Sequence, residues 1–219
     1  MTYDGRVTAT AIDDVAERAR AEAEIRGRVT AGRGDDATTA TLELYGAEVY
    51  GFLHALARDE DLASEVFSRW SEDVWKGLGT FRWDASLRTW VYALARNALH
   101  RLRRDPRRRP DRNLALSETS AVLRLVDRVR TQTVPFLRTE VKDELRALRD
   151  ALDPDDHALL VLRLDRRMAW KDIARALAEE TDDSSAVEIE RRAGALRKRF
   201  ERAKDQLRTL ATERGLLGG

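Results

Sequence analysis

The sequence predicts an all-α protein of two small helical domains, a helical bundle followed by a helix-turn-helix unit, joined by a flexible linker. Three observations predict it. Apolar residues recur at spacings of three and four through successive stretches, the period of one helical face. Glycine and proline are scarce, at 12 and 4 of 219 residues, and Pro106, Pro110 and Pro135 cluster between the periodic stretches. Charged residues make up 36% of the chain, against about a quarter in an average globular protein, which suits helices with solvated outer faces.

The elements follow in order. Residues 1–36 contain few large apolar side chains; the stretch Ile12 to Val29 could form a solvated helix but has little to bury, so a loosely ordered extension is expected. The first domain spans residues 37–105. Leu42, Tyr45, Val49, Phe52, Leu53 and Leu56 define its first helix; Leu62, Val66, Phe67, Trp70 and Val74 define a second that stops at Gly77 and Gly79. A loop through Phe81 and Trp83 leads to a third, carried by Leu87, Trp90, Val91, Leu94, Leu99 and Leu102. Residues 106–138 form the linker. The second domain spans residues 139–212, before a tail of residues 213–219. Val141, Leu145, Leu148 and Leu152 begin it; Asp153 and Pro154 mark a helix start; Trp170, Ile173 and Leu177 share a face; and Leu196, Phe200, Ala203, Leu207 and Leu210 set a long final helix.

The formal net charge of +1 conceals a segregation. Residues 96–112 hold eight arginines against Asp105 and Asp111, a net charge of +6, and residues 191–208 hold eight lysines or arginines against Glu201 and Asp205, again +6. The rest of the chain therefore carries −11. Two basic islands in an acidic chain point to an anionic polymer as partner. The absence of cysteine removes disulfides and thiolate chemistry. No apolar run reaches membrane-spanning length and the start MTYDGRV lacks the features of a signal peptide, so a soluble cytoplasmic protein without a membrane partner is expected.

The islands contain the candidate site. In the third helix Arg88, Tyr92, Arg96, His100 and Arg103 step along one face, flanked by Thr89, Asn97, Arg101 and Arg104, and offer guanidinium groups, polar side chains and an aromatic ring to nucleic acid. Upstream, Phe81 and Trp83 beside Arg82 and Ser86 are stacking platforms for unpaired bases. The competing reading makes Trp83 and Trp90 core residues and the arginines a solvated face. In the final helix Arg192, Ala195, Arg197, Lys198, Arg199 and Arg202 present the small and basic surface of a helix entering a major groove. If about six phosphates are neutralised, log affinity falls against log salt with a slope near −5.

Catalysis finds no support. His54, His100 and His157 are dispersed without metal-ligand spacing, no GxxxxGK[ST] phosphate loop occurs, and the acidic pairs of residues 179–183 belong to a polar connector. No enzyme, cofactor or metal is expected.

The string DEDLASEVFSRWSEDVWKGLGTFRWDASLRTWVYALARNALHRLRR resembles region 2 of the sigma-70 family of bacterial RNA polymerase sigma factors, in the two-domain extracytoplasmic-function type. LDPDDHALLVLRLDRRMAWKDIARALA, followed by LRKRFERAKDQL, resembles region 4 with its helix-turn-helix. The resemblance implies a subunit that binds core RNA polymerase through its beta-prime and beta subunits and directs promoter-specific initiation. By the family pattern, Leu62, Glu65, Val66, Phe67, Trp70 and Asp73 dock on polymerase. Arg82, Trp83, Ser86, Arg88, Trp90, Tyr92, Arg96, Asn97 and Arg101 bind the minus-10 element and hold its unpaired strand. Arg192, Ala195, Arg197, Lys198, Arg199 and Arg202 read the minus-35 element as duplex. The resemblance also admits an anti-sigma factor as partner. Two departures stand out: residues 178–191 replace a tight turn before the final helix, and Ser64 stands where the family often has glutamine. A stand-alone helix-turn-helix regulator is the main alternative, but it has no need of the EVFSRW and FRW segments. A module that binds acidic proteins leaves Trp83 and Asn97 unexplained.

Overall fold

The structure, a computed structural model, describes residues 15–104, 127–129, 147–178 and 185–216. These residues are helical, with no strand among them. Helices α1 (Val15–Thr30), α2 (Gly34–Ala57), α3 (Glu60–Gly77) and α4 (Leu87–Arg104) are followed by α5 (Pro154–Leu160), α6 (Trp170–Ala176) and α7 (Ala186–Glu213).

Local chemistry sets the boundaries. Arg58, in the left-handed conformation at φ 59°, ends α2, and the Asp59 carboxylate then accepts the Leu62 amide at 2.6 Å to start α3. Ser86 caps α4, its hydroxyl accepting the Thr89 amide at 3.1 Å. Asp153 accepts the Asp155 amide at 2.9 Å with Pro154 opening α5, as its sequence predicts. Beyond Leu160 the helix widens by a π-type turn, Val161–Asp165, in which the Arg166 amide donates to the Val161 carbonyl at 3.0 Å. Ser185 caps α7 by accepting the Glu188 amide.

Helices α2, α3 and α4 pack mutually around an aromatic core. Tyr50 meets Phe67 edge-on at 5.3 Å, Phe67 stacks on Trp70 at 5.1 Å, and Phe52 meets Tyr92 edge-on at 5.1 Å. The Trp70 indole donates to the Val91 carbonyl at 3.0 Å, so burial of its N–H carries no unpaired donor. The same apolar cluster continues through Leu152, Leu159, Leu160, Leu162, Ile173 and Phe200, so the described helices share one core. Polar ties reinforce that junction: Arg58 donates to the Leu152 carbonyl at 3.0 Å and Arg166 to the Glu48 carbonyl at 3.1 Å. Gly51 leaves room for the second tie, because a Cβ there would lie 3.1 Å from the Arg166 guanidinium.

One region departs from expectation. Within residues 1–36, read as a loosely ordered extension, Val15–Thr30 forms a helix against α2. Its anchor is one buried apolar residue, Ile25, together with Glu22, whose carboxylate accepts the Tyr45 hydroxyl at 2.5 Å and the Leu87 and Arg88 amides at 3.2 and 2.9 Å. Polar capping thus replaces the apolar stripe that the sequence lacks. Most of the expected linker lies outside the described residues, as do Val141, Leu145 and residues 179–184. No described helix is long and apolar enough to cross a membrane.

Candidate nucleic-acid interface

The first half of the candidate site is the turn between α3 and α4. Gly77 lets Trp90 approach its backbone, since a Cβ would stand 3.0 Å from the indole. Phe81 then stacks on Trp90 at 4.8 Å and 21°, and Trp83 leans on Phe81 at 4.8 Å and 48°. Trp83 has φ 63°, a left-handed conformation that costs a non-glycine residue about 1–2 kcal/mol. The ring contacts hold it there. All three rings are half-buried, so they are neither wholly core nor wholly surface. The Arg26 guanidinium of α1 lies over the Trp83 ring, 5.5 Å from its centre. Arg82 is exposed beside this stack and pairs with Asp84 at 3.1 Å.

The structure separates the other minus-10 candidates by burial. Arg88 is 12% exposed and forms a double hydrogen bond with Glu48, itself 7% exposed. Burial works against the Arg88 charge, but the Glu48 carboxylate outweighs it and raises the pKa above the ordinary arginine value. Tyr92 is fully buried against Phe52 under the Arg88 guanidinium, and burial pushes its phenol well above the usual range. Arg96 is also buried, 3.7 Å from Asp155. All three pack into the fold, Tyr92 and Arg96 buried and Arg88 closed in against Glu48. Ser86 serves as the α4 cap and Asn97 is half-exposed. Arg101 is exposed and hydrogen-bonds Asp73. Burial raises the Asp73 carboxyl against the opposing pull of Arg101.

The expected polymerase face divides similarly. Leu62, Val66, Phe67 and Trp70 are buried, the last three completely. Glu65 and Asp73 remain accessible on α3. The apolar four shape that ridge from within.

On α7 the candidates are more open. Ala195, Arg197, Lys198 and Arg202 are exposed, and Lys198 and Arg202 make no ion pair among the described residues. Arg197 stands 6.0 Å from the Trp170 ring centre. Arg192 pairs with Glu188 at 2.8 Å, and hydrogen bonds from Arg191 and Arg192 hold the Glu188 carboxyl down to about 2. Arg199 turns inward to Asp156 at 2.5 Å and Asp153 at 2.9 Å.

The acidic start of α5 links the two islands. Asp155 lies 3.7 Å from Arg96, 4.0 Å from His100 and 3.8 Å from Arg199. It is a shared counter-ion for both. Sequence reasoning did not single out Asp155, Glu48, Glu22 or Arg26; the i, i+4 spacing of Glu22 and Arg26 around Ile25 was the available signal, and a faint one. Among the described residues no cluster of histidine and acidic side chains could hold a metal ion.

No curated protein sequence matches the chain significantly. Residues 41–109, the stretch that carries most of α2 together with α3, the aromatic turn and α4, match the family model described as Sigma-70 region 2.

Proposed function

We propose that the chain is a sigma factor of the extracytoplasmic-function type, which binds core RNA polymerase and directs promoter-specific initiation. The observation that carries this reading is the Trp90, Phe81 and Trp83 ring cluster within the Sigma-70 region 2 match, because half-exposed aromatic rings beside arginine suit unpaired bases. In this reading the stack, with Arg82, Asn97 and Arg101, holds the opened minus-10 strand, while Arg88, Tyr92 and Arg96 fix the helix that presents it. Ala195, Arg197, Lys198 and Arg202 on α7 meet the minus-35 duplex, and Arg192 and Arg199 join them by exchanging carboxylates for phosphates. Glu65 and Asp73 on α3 face the beta-prime subunit. An anti-sigma factor is a further partner of the same faces.

Run-off transcription with core polymerase on fragments of the source genome tests the proposal. Added protein is expected to yield discrete promoter-dependent transcripts and to co-migrate with core enzyme. A chain that binds duplex DNA yet does neither is a stand-alone regulator.

A further inference from the structure

We infer that α1 is part of the single-strand site, and that Arg26 holds on Trp83 the place of an unpaired base. This rests on the proposed strand-holding role of the turn and adds a residue and an exchange to it.

Four groups follow one another: Phe81 stacked on Trp90 at 4.8 Å, Trp83 tilted 48° against Phe81 at 4.8 Å, and the Arg26 guanidinium over Trp83 at 5.5 Å. The fourth layer differs from the others in being charged and exposed. Its backbone is fixed, because one turn earlier Glu22 caps α4 and Ile25 is buried in the core. The side chain beyond that anchor is long and rotatable, so it can leave the ring without moving α1.

Magnitudes decide which group occupies the ring. A cation over an exposed aromatic face is worth a factor of about two to five in an equilibrium constant, whereas a base stacked on an aromatic residue is worth roughly five to 150. An unpaired base therefore displaces the guanidinium. The displaced Arg26 remains tethered beside the bound strand, where a phosphate replaces the ring as its partner. Without a strand, the same side chain keeps water off one face of Trp83 and helps hold its left-handed backbone.

The exchange has a signature that simple packing lacks. A fluorescein-labelled single-stranded DNA oligonucleotide is titrated with the full chain across a salt series, for the wild type and for Arg26→Ala, Arg26→Lys and Trp83→Ala. Arg26→Ala is expected to flatten the log–log salt slope by about 0.7, one phosphate contact on a single strand. It weakens binding at low salt, and at high salt equals or exceeds the wild type because nothing has to be displaced. Arg26→Lys keeps the wild-type slope, and Trp83→Ala loses about tenfold or more at every salt with its slope unchanged. If Trp83→Ala weakens binding while Arg26→Ala leaves the slope at the wild-type value, the placeholder is overturned and the strand-holding turn survives. If the wild type does not bind the strand, or Trp83→Ala has no effect, both fall.

Discussion

In α4, Arg88 is closed in against Glu48 and Arg96 is buried near Asp155, whereas in α7 Lys198 and Arg202 project into solvent without an ion pair among the described residues. The sequence segments 96–112, which begins in α4, and 191–208, which lies in α7, have the same net charge of +6. Their difference arises from neighbours. Helix α4 runs between α2, α3 and α6, so much of its circumference is covered and its cations need internal partners. Helix α7 packs on α5 and α6 and leaves a broad outer surface on which cations remain hydrated. Basic side chains therefore have two uses: Arg88 and Arg96 fix α4 behind an aromatic turn, and Lys198 and Arg202 on α7 are available to a polyanion.

The largest expected effect breaks this contrast at its sharpest point. Arg88→Ala leaves the Glu48 carboxylate buried without its partner and is expected to cost about 3–5 kcal/mol, read as a lower denaturation midpoint. Arg202→Ala, the same change on α7, is expected to leave that midpoint within about 0.5 kcal/mol while flattening the salt slope of duplex binding by about 0.9. Equal destabilisation by the two would show that they occupy similar environments.

Glu22→Ala comes next. It removes the acceptor for two α4 amides and for the buried Tyr45 hydroxyl, and about 2 kcal/mol of stability goes with it. Thermal unfolding measures the loss, and a change below about 0.5 kcal/mol would mean that α1 does not hold α4. The smallest effect concerns the shared counter-ion. Asp155→Asn removes one carboxylate beside Arg199 on α7, and because Asp155 is partly exposed the gain is small, roughly twofold tighter duplex binding by anisotropy. Weaker binding instead would indicate that Asp155 positions Arg199 for DNA.

The helices were legible because each main one buries a stripe of three- and four-spaced apolar residues, and the caps at Asp153 and Pro154 are local signals. Long-range polar pairing was not. Glu22 meets the Leu87 and Arg88 amides across 65 and 66 residues, and Glu48 meets Arg88 across 40, so no periodicity announces either. The docking of α1, which the sequence offers only as a solvated helix, was hidden for that reason, with Ile25 its single buried apolar side chain. The aromatic turn and α7 were found as candidate surfaces. What the pattern did not separate was exposure within an amphipathic helix: Phe67 and Trp70 belong to the same α3 as Glu65 and Asp73, yet only the acidic pair reaches solvent.

If the aromatic turn holds separated bases while α7 grips duplex, Trp83→Ala separates the two activities. With the variant in polymerase holoenzyme, promoter opening is followed by permanganate reactivity of unpaired thymines and duplex binding by gel shift on the same fragment. Opening is expected to fall by about tenfold or more while binding of the closed duplex stays within about twofold. Equal losses in both would contradict the division of labour between the two helices.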